Sequence, residues 1–453
     1  MRIKKIVPLA ALLLATSAAA PFAATNLFSP HDWAMRLPKD KHHKRFSVGV
    51  NIFEVGVSER DGRSWDDKEV SILAIDDLTQ STIDMVFNPV TTVNNVNTAQ
   101  VQIMLNAIAA MAPGGTLALF NNGTSAGQLA LTGKFDQWSA NLLAAYEFLR
   151  GSWGHFSLSV HVPVVHKEVR DVTIVDQTSL ALLNNATNLA YTGVQIAALQ
   201  HLLTDNIRTI AKTLGNLDLS NWDETGLGDV VALLNWKHMF KRCGHEHRSA
   251  TLHAKIGVSF PTAEEKDEDK AFSMALGNDG AWGLPMGLGL EFQANKIFKF
   301  GVDGELLVLF DETRVRRLKT APNQTEFLLL NKGNATMEHG LTWQVDAWAQ
   351  AYHLWSGLSL TAAYQFVDHQ HDTLVVKDAR FNVIPNINGI VNTANSLKEW
   401  NVHNVIFRAN YDFFQKAKKA CCVPQVGVFY KLAVGGKHLI DADTYGAQFV
   451  LNF

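Results

Sequence analysis

The stretch "VDHQHDT" contains residue types that hydrolases use as general acids and bases. These residues are Asp368, His369, His371 and Asp372. Acid–base catalysis needs such groups in a shared geometry around one substrate position. In an extended strand, however, Asp368 and His369 point to opposite faces, and no serine motif accompanies them. We therefore expect no catalytic residues here and expect that the protein is not an enzyme.

The stretch "CGHEHR" offers Cys243, His245 and His247, which are residue types that zinc binds. The chain has 3 cysteines, and the other two, Cys421 and Cys422, lie far along the sequence. Their spacing matches no metal-binding motif. We interpret the stretch as a solvated turn and expect neither a metal nor a cofactor.

Most of the other charged residues lie in segments that alternate polar and apolar positions. In "LPMGLGLEFQAN", Leu288, Leu290 and Phe292 share one face, and Glu291 lies on the other. A period of two is typical of a strand with two different faces. Twelve segments fit this pattern: 46–60, 137–151, 154–174, 226–240, 249–262, 282–295, 297–313, 338–353, 357–374, 400–414, 424–436 and 444–453.

The connections between these segments alternate in length. Short turns such as "ANK" and "HLWSG" follow even-numbered segments, and longer loops follow odd-numbered ones. Membrane barrels have short turns at one end and long loops at the other. We therefore predict an all-β fold, a transmembrane antiparallel up-and-down β-barrel of about 12 strands, with about 10 or 14 as alternatives. The competing interpretation is a soluble all-β protein, whose apolar face a second sheet would cover.

The N-terminal region divides into two parts before this barrel. Residues 1–24 have a basic start, an apolar core and small residues, which is typical of a cleaved secretory signal peptide. We expect residues 25–45, which include "KDKHHKR", to form a basic lead-in on the periplasmic side. Residues 46–453 then form the barrel.

The last strand places Tyr445, Phe449, Leu451 and Phe453 on one face. This stretch resembles the carboxyl-terminal sorting signal of outer-membrane barrels. The resemblance implies an outer membrane of Gram-negative type, with membrane lipid and the barrel assembly machinery as partners. A net charge of −3 gives no field that would attract nucleic acid.

The alternation also places eight charged side chains inside the predicted barrel. The acidic ones come from three neighbouring segments and the basic ones from the segments on either side. They are Glu291, Asp303, Glu305 and Asp346, and Lys237, Lys255, Arg408 and Lys431. One interpretation is a constriction whose transverse field orders polar solutes. The other is a set of ion pairs that fill the interior.

Two long inserts, 61–136 and 175–225, contain apolar residues at helical spacing. The first includes "NTAQVQIMLNAIAAMAPGG", and in the second Ile196, Leu199, Leu203 and Ile207 form one series. We expect helices in these outer loops that pack as a lid or plug. The alternative is a surface domain that never gates the lumen.

Three stretches, "TGLGDVVALLNWKHMF", "IGVSFPTAEEKDED" and "WGLPMGLGLEF", carry a family resemblance. They are similar to FadL-like outer-membrane channels and to related barrels associated with phenol-degradation operons, although Ala263 stands where that pattern often has glycine. The resemblance implies passive uptake of small solutes, hydrophobic or aromatic ones among them, by a channel or transporter. The alternative is a barrel that anchors surface loops for adhesion or a structural role.

Overall fold

The computed structural model describes residues 31–33, 45–56, 62–87, 96–111, 127–177, 201–241, 249–355, 357–413 and 422–453. The expected signal peptide, residues 1–24, lies outside the described residues, and so does the stretch "CGHEHR", residues 243–248. Twelve strands pair side by side into one closed antiparallel barrel, which confirms the predicted fold class. They are β1 (Phe46–Gly56), β2 (Gln128–Gly151), β3 (Gly154–Asp176), β4 (Val230–Lys241), β5 (Ser249–Phe260), β6 (Gly283–Gln293), β7 (Phe298–Leu309), β8 (Thr342–Ala351), β9 (Leu358–His369), β10 (Trp400–Asp412), β11 (Val423–Lys437) and β12 (Asp443–Asn452).

The barrel closes because its first and last strands pair with each other. Val48 of β1 lies opposite Leu451 of β12, and Leu451 lies opposite Pro424 of β11 on its other side. Beyond the strands, the Phe453 N–H donates to the Phe46 carbonyl oxygen at 2.8 Å, and the two rings lie 6.1 Å apart. The end of the last strand is therefore hydrogen-bonded and does not fray.

The connections sort by length as predicted. Short connections follow β2, β4, β6, β8 and β10, and we call that side of the barrel the inner end. Long connections follow β1, β3, β5, β7 and β9 and meet at the opposite side, the outer end. We call the described parts of these long connections, 62–87, 96–111, 201–229, 261–282, 310–341 and 370–399, the outer cap.

The outward face of the barrel is apolar. Tyr445, Phe449 and Phe453 point away from the lumen, and each is 41–47% exposed. The same surface is built by exposed aliphatic and aromatic residues from all around the wall: Val48, Ile52, Leu142, Leu288, Val302, Leu306, Val345, Leu360, Phe407 and Val428. Among the described helices, none has the length and apolar character needed to cross a membrane.

Helices occur in the outer cap, and both predicted inserts contain them. They are α1 (Thr82–Phe87), α2 (Thr98–Met111), α3 (Ile207–Gly215) and α4 (Ile387–Val391), with a π-helical turn at His201–Asp205. Short 3-10 turns lie at Ile72–Ala74, Glu326–Leu328, Ala379–Val383 and Asn395–Leu397. Ile196 and Leu199 of the second helical series lie outside the described residues.

Short strands complete the cap. Glu312–Arg317, Lys332–Glu338 and Thr373–Val376 form a three-stranded outer sheet, and Gly62–Arg63, Glu69–Val70 and Leu439–Ile440 form a smaller one. Gln80–Ser81 pairs with β2, and Trp222–Leu227 pairs with β3. β2 begins within the predicted insert 61–136, because "QLALTGKF" continues its alternation of buried and less buried residues.

The two helical inserts pack against each other and against a third loop. The Asn97 N–H, at the start of α2, donates to the Leu214 carbonyl of α3 at 2.8 Å. The Ser81 N–H donates to Thr325 Oγ1 at 3.0 Å. A buried apolar cluster then joins Leu203 and Ile207 of the second insert to Phe327 of the loop between β7 and β8. The cap is therefore one packed layer over the outer end.

Candidate functional site in the barrel interior

All eight charged side chains predicted for the lumen lie on the inward faces of their strands. Asp346 is 0% exposed, Asp303 3%, Arg408 7% and Glu305 9%. The remaining four, Glu291, Lys237, Lys255 and Lys431, are half-buried. Alternation along a strand was enough to place them, because each inward residue is two positions from the next.

Two side-chain contacts cross a whole strand of the wall. Lys255 Nζ of β5 lies 2.5 Å from Glu305 Oε2 of β7, and His253 Nε2 lies 2.5 Å from Asp303 Oδ1. Strand β6 runs between them, and the residue opposite His253 and Asp303 is Gly289. A Cβ on Gly289 would lie 2.2 Å from His253 Nε2. The missing side chain therefore makes this contact possible.

Asp303 also accepts hydrogen bonds from two indoles. Trp348 Nε1 of β8 donates to Asp303 Oδ2 at 2.7 Å, and Trp33 Nε1 donates to the same oxygen at 3.1 Å. A carboxylate with several donors is strongly held in place. Asp303 thus links three strands of the wall to a segment that precedes the barrel.

That segment, residues 31–33, lies inside the lumen. Arg408 Nη1 donates to the Trp33 carbonyl at 3.2 Å, and its guanidinium lies 4.8 Å from the centre of the Trp33 ring. Asp32 Oδ2 lies 3.0 Å from Lys431 Nζ. Of the predicted lead-in 25–45, the structure describes residues 31–33, which lie inside the lumen, and Arg45, which directly precedes β1.

The other charged residues also lie beside partners. Glu291 Oε1 lies 3.3 Å from Lys299 Nζ, whose ammonium is 3.9 Å from the centre of the Tyr352 ring. Lys237 lies within electrostatic reach of Glu291. Asp346 accepts from Gln344 Nε2 at 2.7 Å and from Gln365 Nε2 at 2.9 Å. The residues that our prediction missed, His253 and Lys299, also sit at inward positions, so alternation could have found them.

These distances favour ion pairs that fill the interior over an open transverse field. Opposite charges 2.5–3.3 Å apart largely cancel at longer range. The partners also satisfy the requirement that buried charges be paired. The charged side chains therefore hold the lumen contents in place.

The described residues enclose two cavities inside the barrel. The inner cavity, of about 310 Å³, is lined by residues such as His253, Glu291, Trp348 and Arg408. The outer cavity, of about 290 Å³, lies beneath the outer cap and is lined by residues of the cap and of the outer strand ends. His31 and Glu305 line both cavities. His31 Nδ1 lies 3.6 Å from Glu305 Oε2, so this pair marks the boundary between them.

The "GLGD" motif has a structural role at the outer end. Asp229 Oδ1 accepts from the Thr262 and Ala263 N–H groups at 3.1 Å each, and Oδ2 accepts from the Asn278 N–H at 2.5 Å. Thr262 Oγ1 in turn donates to the Gly228 carbonyl at 2.9 Å. Burial raises the pKa of Asp229. The motif clamps the start of β4 to the end of β5 and to the loop that follows it.

A carboxylate cluster joins several loops of the cap. Asp77 accepts from the Glu326 N–H at 2.9 Å, and Glu326 accepts from the Ser396 N–H at 2.8 Å. The Glu326 carboxyl group is buried although the residue as a whole is partly exposed. Its burial, with Asp76 and Asp77 nearby, raises the pKa of Glu326 to about 7.

His438 completes this cluster from the connection between β11 and β12. Its Nε2 lies 2.8 Å from Asp76 Oδ1. Burial alone would lower the pKa of His438, but the hydrogen bond and the charge of Asp76 raise it overall. A protonated histidine here attracts the carboxylate, so the contact is strongest when His438 carries its proton.

In the stretch "VDHQHDT", the Asp368 and His369 side chains contact different partners. Asp368 Oδ2 accepts from Trp343 Nε1 at 2.9 Å, whereas His369 Nδ1 lies 2.6 Å from Thr342 Oγ1 and His369 Nε2 lies 3.3 Å from Asp372 Oδ1. As the alternation predicted, Asp368 and His369 do not form a pair. Among the described residues, no group of three potential ligands is arranged to hold a metal ion.

No protein-family model matches the sequence, and no curated protein matches it. Solved structures similar to the chain include an outer membrane channel from Pseudomonas putida F1, at 9% identity and a TM-score of 0.46, covering 92% of this chain and 100% of that one. The CymD monoaromatic hydrocarbon channel gives 8% identity and a TM-score of 0.32, covering 97% and 95%. A Pseudomonas aeruginosa FadL homologue gives 11% identity and a TM-score of 0.26, covering 90% and 89%. At these identities and TM-scores the similarities carry no argument about function.

Proposed function

We propose that the protein is an outer-membrane channel for the passive uptake of small solutes, hydrophobic or aromatic ones among them. One observation carries this proposal. The closed wall encloses two cavities; His31 lines both of them, and Asp32 and Trp33 line the inner one. Residues 31–33 contact the wall through side chains, among them Asp303, Glu305, Arg408 and Lys431. If these side-chain contacts part, a passage between the two cavities can open while the strand pairing of the barrel wall stays intact.

The outer face supports a place in a membrane. A closed barrel leaves no unpaired strand edge in lipid, and its apolar outward face matches the hydrocarbon layer. Tyr430 of β11 and Tyr445 of β12 lie opposite each other toward the outer end, and Trp138 lies at the same level on β2, beyond β1, where aromatic side chains meet the interface. We propose outer-membrane lipid as the surrounding medium, and Tyr445, Phe449, Leu451 and Phe453 as the signal that the assembly machinery recognises.

The outer cap supports a role for the helical inserts as a lid. The cap lies over the outer cavity, and Phe327, which packs with Leu203 and Ile207, also lines that cavity. A solute from outside reaches the outer cavity once the cap opens. It then passes the His31–Glu305 boundary, enters the inner cavity and leaves at the inner end. Each step requires contacts between side chains to part and reform.

Uptake by intact cells tests the proposal. Gram-negative cells that produce the chain are compared with cells that do not, using radiolabelled benzyl alcohol as a mostly apolar solute and glycerol as a polar one. We expect faster initial uptake of benzyl alcohol in the producing cells. If each solute enters producing and non-producing cells at the same rate, with folded barrel present in the membrane fraction, the result would instead favour a barrel that anchors surface loops for adhesion or a structural role.

A further inference from the structure

The outer ends of three neighbouring strands carry an aromatic cluster beside the outer cavity. Thr342 of β8 lies opposite His369 of β9, which in turn lies opposite Trp400 of β10. The His369 and Trp400 rings are stacked, with centroids 5.4 Å apart and planes at 2°. All three residues line the outer cavity. The barrel register therefore fixes the position of the Trp400 indole at the cavity wall.

The neighbours of Trp400 are hydrogen-bonded to one another. His369 uses both ring nitrogens, one with Thr342 and one with Asp372. Asp372 Oδ1 also accepts from the Gly340 N–H at 2.7 Å. His339, three residues before β8, places Nδ1 3.7 Å from the same oxygen. Trp400 and His339 thus flank one His369–Asp372 pair.

Two polar atoms of this cluster have no hydrogen-bond partner among the described residues: Trp400 Nε1 and His339 Nε2. Trp400 is 2% exposed and the His339 side chain 8% exposed, and both residues line the outer cavity. An unsatisfied buried polar group costs about 1–3 kcal/mol, and native proteins rarely leave one unbonded. Because both residues line the outer cavity, a molecule bound there can supply the partner that the described residues do not.

The rest of the cavity defines the chemistry of that molecule. Its wall near the cluster is apolar and includes Phe327, Met337, Val367, Leu374 and Leu397. Among the described lining residues, seven carboxylates are balanced by six lysine and arginine side chains. The cavity therefore offers little net charge to an ion. A neutral and mostly apolar molecule fits the apolar wall beside the cluster, where Trp400 and His339 offer it one polar position.

We propose that the outer cavity binds a neutral, mostly apolar solute that carries one hydroxyl group. Its oxygen accepts a hydrogen bond from Trp400 Nε1, and its hydrogen is donated to His339 Nε2. This inference rests on the proposed channel function and names the class of solute that the channel takes. Burial lowers the pKa of His339, which keeps the ring neutral and able to accept.

Two probes of matched size test the site. The full-length chain is refolded in detergent, and benzyl alcohol and ethylbenzene are titrated by calorimetry, because they differ only by a hydroxyl in place of a methyl group. We expect benzyl alcohol to bind about tenfold more tightly, since two hydrogen bonds are at stake. The nitrogen-15 signal of the Trp400 indole should shift with the alcohol and much less with the hydrocarbon.

Two variants assign the effect to the indole N–H. Trp400→Phe keeps an aromatic ring but removes the donor, and it should reduce the preference for the alcohol to about two- to threefold. Trp343→Phe is the matched control, because its indole N–H is already bonded to Asp368, and it should keep the wild-type preference. Retained heat-modifiable mobility on gels shows that each variant is folded.

The outcomes separate this site from the proposed function. If the wild-type chain binds neither probe, or binds both equally, water satisfies the two atoms and the inference is overturned. A preference that survives in Trp400→Phe also overturns it. Preferential binding of benzyl alcohol without uptake by cells would support the site and contradict the proposed channel. Uptake of benzyl alcohol and ethylbenzene at equal rates, with equal affinities, would contradict the site and support the channel.

Discussion

At the scale of single residues, Gly289 shows how an absent side chain organises the lumen. The backbone of β6 separates His253 from Asp303, and only a glycine leaves room for them to meet above it. Asp303 in turn accepts from Trp33, the residue that fills the interior. The position of Asp303, which contacts the lumen segment 31–33, therefore depends on Gly289, a residue without a side chain.

We predict that Gly289→Ala lowers the free energy of unfolding by about 1–3 kcal/mol, because the new Cβ overlaps His253 and Asp303. Gly304→Ala on β7 is the matched control. Its nearest neighbouring atom would be 3.8 Å away, so its effect should stay within about 0.5 kcal/mol. Urea titration of the refolded barrels in detergent measures both. Equal effects in the two variants would contradict the crossing contact.

At the scale of elements, the Asp229 clamp ties two strand ends to a loop. We predict that Asp229→Ala lowers the free energy of unfolding by about 2–4 kcal/mol, because three backbone N–H groups lose their acceptor. Asp223→Ala, at an exposed position on the neighbouring short strand, should change it by less than about 0.5 kcal/mol. The same urea titration compares the two variants. If Asp229→Ala leaves the free energy of unfolding unchanged, the clamp is not needed for stability.

The carboxylate cluster predicts that the outer cap loosens as pH rises. The pKa of Glu326 is raised from 4.5 to about 7, so the folded cap binds this proton more tightly than the unfolded chain. Its contribution is complete below about pH 4.5 and is lost as the pH rises through about 7. The raised pKa of His438 acts in the same direction. Cleavage of the cap by proteinase K should therefore be faster at about pH 8 than at about pH 5.

Glu326→Gln tests which group sets this dependence. Glutamine stays neutral and still offers an oxygen to the Ser396 N–H, so the variant should lose the part of the pH dependence that Glu326 contributes and keep the part from His438. Glu338→Gln, at an exposed position on the outer sheet, should behave like the wild type. Rates are divided by those of an unstructured peptide to remove the pH dependence of the protease. An unchanged pH dependence in Glu326→Gln would assign the effect to another group.

At the scale of the whole molecule, the sequence predicted the wall but not its contents. Period-two alternation placed all twelve strands and the inward positions of Asp303, Glu305 and their neighbours, because a strand repeats the same geometry at every second residue. Alternation carries no information about which inward groups touch. The pairing of Lys255 with Glu305 across Gly287 depends on strand stagger, which only the closed barrel fixes.

The parts without a repeating pattern were the hardest to predict. Residues 31–33 have no secondary structure that a period could indicate, and their place in the lumen depends on contacts to β7, β10 and β11. The outer sheet was missed for a similar reason, since strands of 4–7 residues are too short for alternation to stand out. Long-range contacts define both features.

The most direct test of the channel is single-channel conductance of the refolded chain in a planar bilayer. It is measured beside a version in which residues 178–216, which include all of α3, are replaced by a short loop. We predict small or rare current steps in the full chain and larger, more frequent steps in the shortened one, because the cap is weakened over the outer cavity. No current from either form, with both barrels folded, would contradict a passage through the lumen.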